Sequence, residues 1–206
     1  PDLFMQAGIQ VAFYKTFGRF VATYEAASTC AFKHGRTETV RPLTGLTRRL
    51  AEYMADEQRS SKNPEEVYRQ LTECTKLHNQ LVKEGALGQG FDRHLFAMKY
   101  HASERRRMTT LPEFYTSHAY KLINHNVLST STLAYPAIFN GGFAPVVPDG
   151  FGVGYRILDE TCGACVTSYN ASDLKLFASA LDVAYDRLHT ALEQVKPAAA
   201  TTSKKN

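Results

Sequence analysis

The chain has 206 residues, of which 44% are hydrophobic and 21% charged, and its formal net charge is +4 at pH 7. These values are typical of a globular protein, either one large domain or one lobe of something bigger, and they predict no extensive disorder outside the tail. So small a charge, part of it in Lys204 and Lys205, predicts no broad basic face for nucleic acid. The sequence also has no run of about 18 apolar residues that would span a membrane.

The first predicted elements are a helix and a strand. The chain opens on Pro1-Asp2 without a methionine, and a helical pattern follows at once, which favours an excised fragment. Apolar residues at helical spacing predict a helix that Gly18 ends. The run from 20 to 25 is β-like and uncharged up to Glu25. Glu25 is therefore either a strand-end charge in water or a functional residue.

Residues 32–42 gather three cations and two hydroxyls around Gly35, which favours an anion-contacting loop over a core strand. His34 has no carboxylate at a suitable spacing, so a structural role is favoured over that of a catalytic base.

Three helices are predicted in the middle of the chain. Residues 44–54 have an amphipathic pattern, and Asn63-Pro64-Glu65-Glu66 marks the start of a second helix. His78 lies on the apolar stripe of that helix and is predicted to be a core histidine. Arg93, in the first turn of a third helix, gains nothing from the helix dipole, which predicts an anionic partner.

The stretch from 124 to 155 has two interpretations. Ser129-Thr130-Ser131 ends a β-like run, Gly141-Gly142 opens another, and Pro148-Asp149-Gly150 predicts a hairpin turn. Hydroxyls at a strand edge can donate to a developing negative charge, and paired glycines leave room for a ligand. The alternative is a hydroxyl-rich strand followed by an ordinary turn.

The last part of the chain completes an α/β pattern. Cys162 and Cys165 have no second pair and lie in a β-rich run, which favours packing over a metal or redox site. Ser172 is predicted to cap a final helix, and residues 197–206 are predicted to be a disordered tail. Helices and strands alternate without a repeat or linker, which predicts one α/β lobe over residues 1–196, built on a mixed β-sheet packed by helices.

Five blocks together resemble the carnitine/choline acyltransferases: residues 23–25, 35–42, 90–95, 128–131 and 143–152. They follow the family's order at closely similar spacings, and the likeness extends from Pro1 to about Val195. Residues 129–133 and 141–145 are most similar to the long-chain mitochondrial members.

The resemblance implies a chloramphenicol-acetyltransferase-like lobe of the coenzyme A-dependent acyltransferase fold. The implied reaction moves a fatty acyl group between coenzyme A and carnitine, which are substrates, and no cofactor or metal is implied. The implied location is the matrix side of the mitochondrial inner membrane, with peripheral membrane association through a missing part of the protein.

The resemblance also implies roles for individual residues. Thr37, Thr39 and Arg93 indicate carnitine rather than choline. The implied carnitine-binding residues are Tyr24, Thr37, Arg93, Ser129 and Phe143, the last beside the trimethylammonium group. The remaining implied residues are Ser131 as oxyanion donor, Asp2 and Glu25 at the adenine end of coenzyme A, and Gly141 and Gly142 in an open acyl channel.

The family's catalytic histidine motif is not found among the seven histidines of the chain. The general base and the lysines for the 3′-phosphate are therefore expected upstream, in a missing N-terminal half that acts as the partner. The fragment alone is predicted to be inactive. The competing hypothesis is a non-catalytic coenzyme A- or carnitine-binding or interaction module.

Overall fold

The computed structural model describes residues 1–105, 110–132 and 141–195. Its centre is a five-stranded mixed sheet with the strand order β2-β1-β3-β4-β5, so the predicted α/β class is confirmed. The strands are β1 (Thr23–Ser28), β2 (Thr37–Val40), β3 (Leu128–Thr132), β4 (Phe151–Ile157) and β5 (Cys162–Ser168). The helices are α1 (Asp2–Phe17), α2 (Gly45–Ala55), α3 (Glu57–Lys62), α4 (Pro64–Ala86), α5 (Asp92–Tyr100), α6 (Glu113–Thr116), α7 (His118–Asn124) and α8 (Ala171–Val195).

The hairpin predicted at Pro148-Asp149-Gly150 is wrong. Strand β4 runs parallel to its neighbour β3, and residues 141–150 form no strand. The three residues instead make a turn, closed by the Gly150 N–H to Val147 carbonyl bond, that leads the chain into β4. The antiparallel neighbour of β4 is β5, on its other side. Turn chemistry marks where the chain bends but does not identify the strand that pairs.

The loop predicted over residues 32–42 is only partly confirmed. Its second half contains β2, which pairs antiparallel with β1 at the edge of the sheet. An edge strand pairs on one side only and tolerates charged residues, so its pattern is weaker than that of a buried strand.

Helix α1 lies in the core of the molecule. It ends at Gly18, whose φ of 65° is the left-handed conformation that glycine adopts without strain, as predicted. Nine consecutive residues of this helix, from Met5 to Phe13, are buried, and so is Leu3. Two of them, Gln6 and Gln10, are polar and hydrogen-bond to strand residues.

Helix α4 packs on β1 and β2 and helix α8 on β5, while α2 packs on α1 and α4. Asn63 caps α4 as predicted, since its side chain accepts a bond from the Glu66 N–H. The cap predicted at Ser172 is wrong, because the Asn170 side chain accepts from the N–H groups of both Ser172 and Asp173. The predicted disordered tail lies outside the described residues.

The two faces of the sheet differ in chemistry. Residues paired across β1 and β3 point to the same side, and side chains alternate along each strand. Glu25 and Thr130 thus point towards the helices. The opposite face, here called the hydroxyl face, carries Tyr24, Ser129 and Ser131, with Thr167 on β5.

Candidate functional site

Three residues that the sequence associates with one ligand meet beside the hydroxyl face. Arg93, in the first turn of α5, donates from Nη2 to the Tyr24 hydroxyl at 3.1 Å and to Thr37 Oγ1 at 3.4 Å. Its Nε donates to the Thr37 carbonyl oxygen at 3.2 Å. The guanidinium carbon also lies 5.8 Å from the centre of the Tyr24 ring. The structure therefore brings Tyr24, Thr37 and Arg93 into a single cluster.

The anionic partner predicted for Arg93 is absent from the described part of the chain, where its guanidinium bonds only to uncharged oxygens. The Arg93 side chain is exposed. A fixed cation with a planar fork of donors and no carboxylate partner is suited to bind a carboxylate from outside.

Two serines extend this cluster along β3. Ser129 is the register partner of Tyr24 and is 4% exposed. Ser131 lies two residues further on the same face and is partly exposed. Among the described residues, its hydroxyl reaches only the Thr132 carbonyl oxygen, at 3.4 Å, which is a long hydrogen bond. The Ser131 hydroxyl can therefore donate to a ligand without breaking a strong bond.

The segment before β4 lies over the hydroxyl face. The Phe143 carbonyl oxygen accepts a bond of 2.5 Å from Thr167 Oγ1, and a Cβ at Gly152 would overlap that carbonyl. Gly152 is thus what lets Phe143 approach the sheet. Gly142 lies against β5, where an added Cβ would be 2.8 Å from Cys165 Sγ. Gly141 is partly buried, and residues 133–140 beside it lie outside the described residues.

Asp2 and Glu25 lie together, but on the helix-packed face. The Tyr155 hydroxyl is 2.6 Å from Asp2 Oδ1 and 2.8 Å from Glu25 Oε1. His78 Nε2 is 3.1 Å from Asp2 Oδ2 and 3.6 Å from Glu25 Oε2. His78 is 2% exposed, so the prediction of a core histidine is confirmed. Glu25 is 4% exposed inside β1, so the interpretation as a strand-end charge in water is wrong.

The two carboxyl groups have opposite pKa shifts. Burial, reinforced by the nearby Asp2 charge and opposed by His78, raises the pKa of Glu25 to about 7. Burial also acts to raise the pKa of Asp2, but hydrogen bonds from His78 and Tyr155 outweigh it and lower that pKa to about 2. At pH 7 Asp2 is thus ionised, whereas Glu25 is about half protonated.

Replacing Glu25 by glutamine is expected to remove a pH dependence of stability. Between the ordinary pKa of 4.5 and the folded value of about 7, the folded chain binds more protons than the unfolded chain. The free energy of unfolding therefore falls as the pH rises through this window, by on the order of 3 kcal/mol. Asp2 titrates below this window and does not contribute to the change.

Chemical denaturation of wild type and Glu25→Gln at pH 5 and pH 8 measures this effect. The variant should match wild type at pH 5 and be more stable at pH 8. Glu160→Gln, at an exposed position, is the matched control. A wild-type stability that is equal at both pH values would contradict the prediction.

Asp2, Glu25 and His78 are also the one group in the described residues with donors suited to a metal ion, all within 4.8 Å of one another. Tyr155 and His78 already bond to these carboxylates, so a cation would have to displace existing hydrogen bonds. A cavity of about 470 Å³ is lined by Pro1, the chain neighbour of Asp2, and by residues that include Phe4, Tyr68, Leu71, Ile157 and Leu192.

Sequence reasoning assigned no role to the polar chain that links helix α1 to strands β3 and β1. Gln6 Nε2 donates to Thr130 Oγ1 at 2.9 Å, and Thr130 Oγ1 donates to the Tyr24 carbonyl oxygen at 2.8 Å. A glutamine inside an otherwise apolar helix was the available signal, because a buried amide requires a partner.

Comparison with known proteins agrees with this arrangement. The family model described as Choline/Carnitine o-acyltransferase matches residues 1–183. This chain belongs to the choline/carnitine O-acyltransferase family. The fold class and family inferred from the sequence are thus confirmed.

Individual relatives agree with the family. The chain is 49% identical over 193 residues to the mitochondrial carnitine O-palmitoyltransferase 2 of Xenopus tropicalis and to that of Homo sapiens. Each alignment covers 94% of this chain and 29% of the relative. The carnitine O-acetyltransferase of Columba livia is 31% identical over 171 residues, which is 83% of this chain and 26% of that protein.

The chain thus spans less than a third of the length of these relatives. The likeness to the long-chain mitochondrial members is confirmed at the level of sequence. Within the described ranges, no helix combines the length and the apolar character needed to cross a bilayer.

Proposed function

We propose that this chain is the C-terminal part of an enzyme that moves an acyl group between coenzyme A and carnitine. The observation that carries the proposal is the Arg93 guanidinium, which is exposed, bonded only to uncharged oxygens, and flanked by Tyr24 and Thr37. Relatives that align with 94% of this chain, at 49% identity, are named carnitine O-palmitoyltransferase 2.

Each group around the hydroxyl face has a role in this proposal. Arg93 holds the carnitine carboxylate, and the hydroxyls of Tyr24 and Thr37 complete its shell. The ring of Phe143 offers its face to the trimethylammonium group, a contact that favours a weakly hydrated cation.

The serines of β3 serve binding and chemistry separately. Ser129, next to Tyr24 in the sheet, contributes to carnitine binding. Ser131 donates its hydroxyl hydrogen to the oxygen that becomes negative when the attacked thioester carbonyl turns tetrahedral. The general base that takes the proton from carnitine or from the coenzyme A thiol is proposed to lie outside this chain.

Asp2 and Glu25 are proposed to serve the adenine end of coenzyme A in different ways. The Asp2 side chain is 38% exposed, and its chain neighbour Pro1 lines the cavity, which supports a direct contact of Asp2 with a ligand. Glu25 is buried beneath it and acts through Asp2, by way of the shared Tyr155 hydroxyl.

Location and substrate range are proposed from the relatives. Several relatives are named as mitochondrial, which supports a mitochondrial protein, and we place it on the matrix side of the inner membrane. Any peripheral membrane contact would be made by parts of the protein outside this chain. Acyl-CoA and carnitine are the proposed substrates, and no further cofactor is proposed.

The test is an acyl-transfer assay of the full-length protein with carnitine and a series of acyl-CoA chain lengths. Palmitoyl-CoA is expected to be preferred over acetyl-CoA. Gly141→Met should shift that preference towards short chains, because a side chain there would fill the acyl channel. The shift is expected to be on the order of 10-fold or more in relative kcat/KM, since pocket contacts of this size discriminate to that extent.

Gly163→Met is the matched control, because an added Cβ at Gly163 meets nothing within 4 Å. An unchanged chain-length preference in Gly141→Met would argue against the acyl channel at this place. Carnitine binding without any transfer by the full-length protein would instead favour the non-catalytic binding module.

A further inference from the structure

We propose that Glu38 and Arg41, neither of which touches the proposed ligand, are positioning residues that fix the guanidinium of Arg93. This inference rests on the proposed function, since it assigns the two residues to the carnitine carboxylate site. Both lie in or next to β2, within the same sequence block as Thr37.

Glu38 holds the backbone of Arg93. Helix α5 begins after Phe91, whose side chain makes no capping bond. Glu38 supplies that bond from β2: its Oε1 accepts from the Arg93 N–H at 3.3 Å and from the Thr39 N–H at 2.7 Å. A carboxylate at a helix N-terminus is favourable because the unpaired amides there carry partial positive charge.

The approach of Glu38 to α5 depends on Gly90. A Cβ at Gly90 would overlap Cγ and Cδ of Glu38, so only glycine lets the carboxylate reach the helix start. Glu38 itself is 5% exposed, whereas Thr37 before it is exposed. Two successive residues of β2 therefore contact Arg93 at two points. Glu38 accepts a bond from its backbone N–H, and Thr37 accepts one from its guanidinium.

Arg41 holds the residue before Arg93. Its Nη2 and Nε donate to the two carboxylate oxygens of Asp92, at 2.5 and 3.3 Å. The Arg41 and Asp92 side chains are only 16% and 11% exposed. Such a two-point pair fixes orientation as well as distance.

The same Arg41 guanidinium also reaches the connection that leads into β3. Its Nη1 donates to the Ile123 carbonyl oxygen at 2.7 Å and to Asn126 Oδ1 at 2.9 Å. Asn126 precedes the strand that carries Ser129. Arg41 thus ties the start of α5 to the serine strand, and so sets Arg93 relative to Ser129 and Ser131.

Loss of Glu38 or Arg41 is expected to affect the use of carnitine and not that of acyl-CoA. Without Glu38 or Arg41, Arg93 would still be a cation, but the N–H donors of its guanidinium would no longer point at the position of the carnitine carboxylate. A displacement of about 1 Å can cost on the order of 100-fold in a positioned site. Loss of either residue should therefore weaken carnitine use and spare acyl-CoA.

The experiment compares steady-state kinetics of Glu38→Gln, Arg41→Gln and Arg41→Lys in the full-length protein. Both glutamine variants should raise KM for carnitine on the order of 10-fold, below the effect of removing Arg93 itself. KM for acyl-CoA should stay within about twofold. Arg41→Lys keeps the charge but not the planar fork, so its carnitine KM should lie between wild type and Arg41→Gln.

The matched control is Arg69→Gln, which removes an arginine paired with Glu66 and Glu73 on the exposed side of α4. It should change neither KM. If Arg41→Gln fails to fold, Asp92→Asn removes the charge while keeping an acceptor oxygen, and it should raise carnitine KM in the same selective way.

Equal changes in both KM values, or a lower melting temperature with unchanged KM values, would overturn the inference in favour of a purely structural role. Arg93→Asn in the same assay separates the two proposals. If Arg93→Asn leaves carnitine KM unchanged, the proposed function fails. If it raises carnitine KM while the Glu38 and Arg41 variants do not, only the positioning inference fails.

Discussion

Replacing Arg93 by asparagine is expected to raise KM for carnitine on the order of 100-fold, which corresponds to about 2–3 kcal/mol. Asparagine removes both the charge and the fork of donors that would pair with a carboxylate. Tyr24 and Thr37 remain, but neutral hydroxyls alone bind an anion weakly. KM for acyl-CoA should change by no more than about twofold, because Arg93 lies on the opposite side of the sheet from Asp2.

His94→Asn provides the matched control, since His94 is the exposed neighbour of Arg93 on the same helix. Choline provides a control on the substrate side. It lacks the carboxylate, so the preference of wild type for carnitine over choline should largely disappear in Arg93→Asn. If the KM values for carnitine and for acyl-CoA rose together in Arg93→Asn, the assignment of Arg93 to the carnitine site would be wrong.

The helix ends were predictable because they depend on residues close in sequence. Gly18 ends α1 through its own left-handed conformation, and Asn63 caps α4 through a bond three residues away. The same local reasoning failed for the start of α8. There Asn170 and Ser172 are both suitable caps, and only the structure shows which side chain bonds the first amides.

The environment of Glu25 could not be predicted locally. A charged residue after an apolar run usually indicates the end of a strand in water. Here β1 continues to Ser28, and Glu25 is buried because Asp2 from α1, His78 from α4 and Tyr155 from β4 meet over it. These partners are separated by up to 130 positions from Glu25, and no period in the sequence brings them together.

The candidate site was predicted through family resemblance more than through pattern. The local pattern of α5 indicated only that Arg93 requires a partner. Tyr24 and Thr37, 69 and 56 positions away, were assigned by motif, and the structure brings all three together. Glu38 and Arg41 lie in the same motif but were given no individual role, because their contacts are with backbone groups and with the side chains of Asp92 and Asn126.

Removing the hydroxyl of Ser131 tests the chemical step separately from binding. Ser131→Ala is expected to lower kcat by about 10²–10³-fold, or about 2.7–4 kcal/mol, with little change in either KM. We expect kcat to fall without a change in KM because the Ser131 hydroxyl interacts fully only when the thioester oxygen becomes negative, in the transition state. Acyl transfer from palmitoyl-CoA to carnitine at saturating substrate measures this loss.

Two variants on the same strand control for damage to β3. Thr132→Val removes the neighbouring hydroxyl, which points to the opposite face, and should leave kcat unchanged. Ser129→Ala should instead raise KM for carnitine, because Ser129 pairs with Tyr24 in the sheet. If Ser131→Ala changed only KM, or if Thr132→Val lowered kcat equally, Ser131 would not be the oxyanion donor. A loss of kcat confined to Ser131 would show that one strand divides binding and chemistry between alternate residues of a single face.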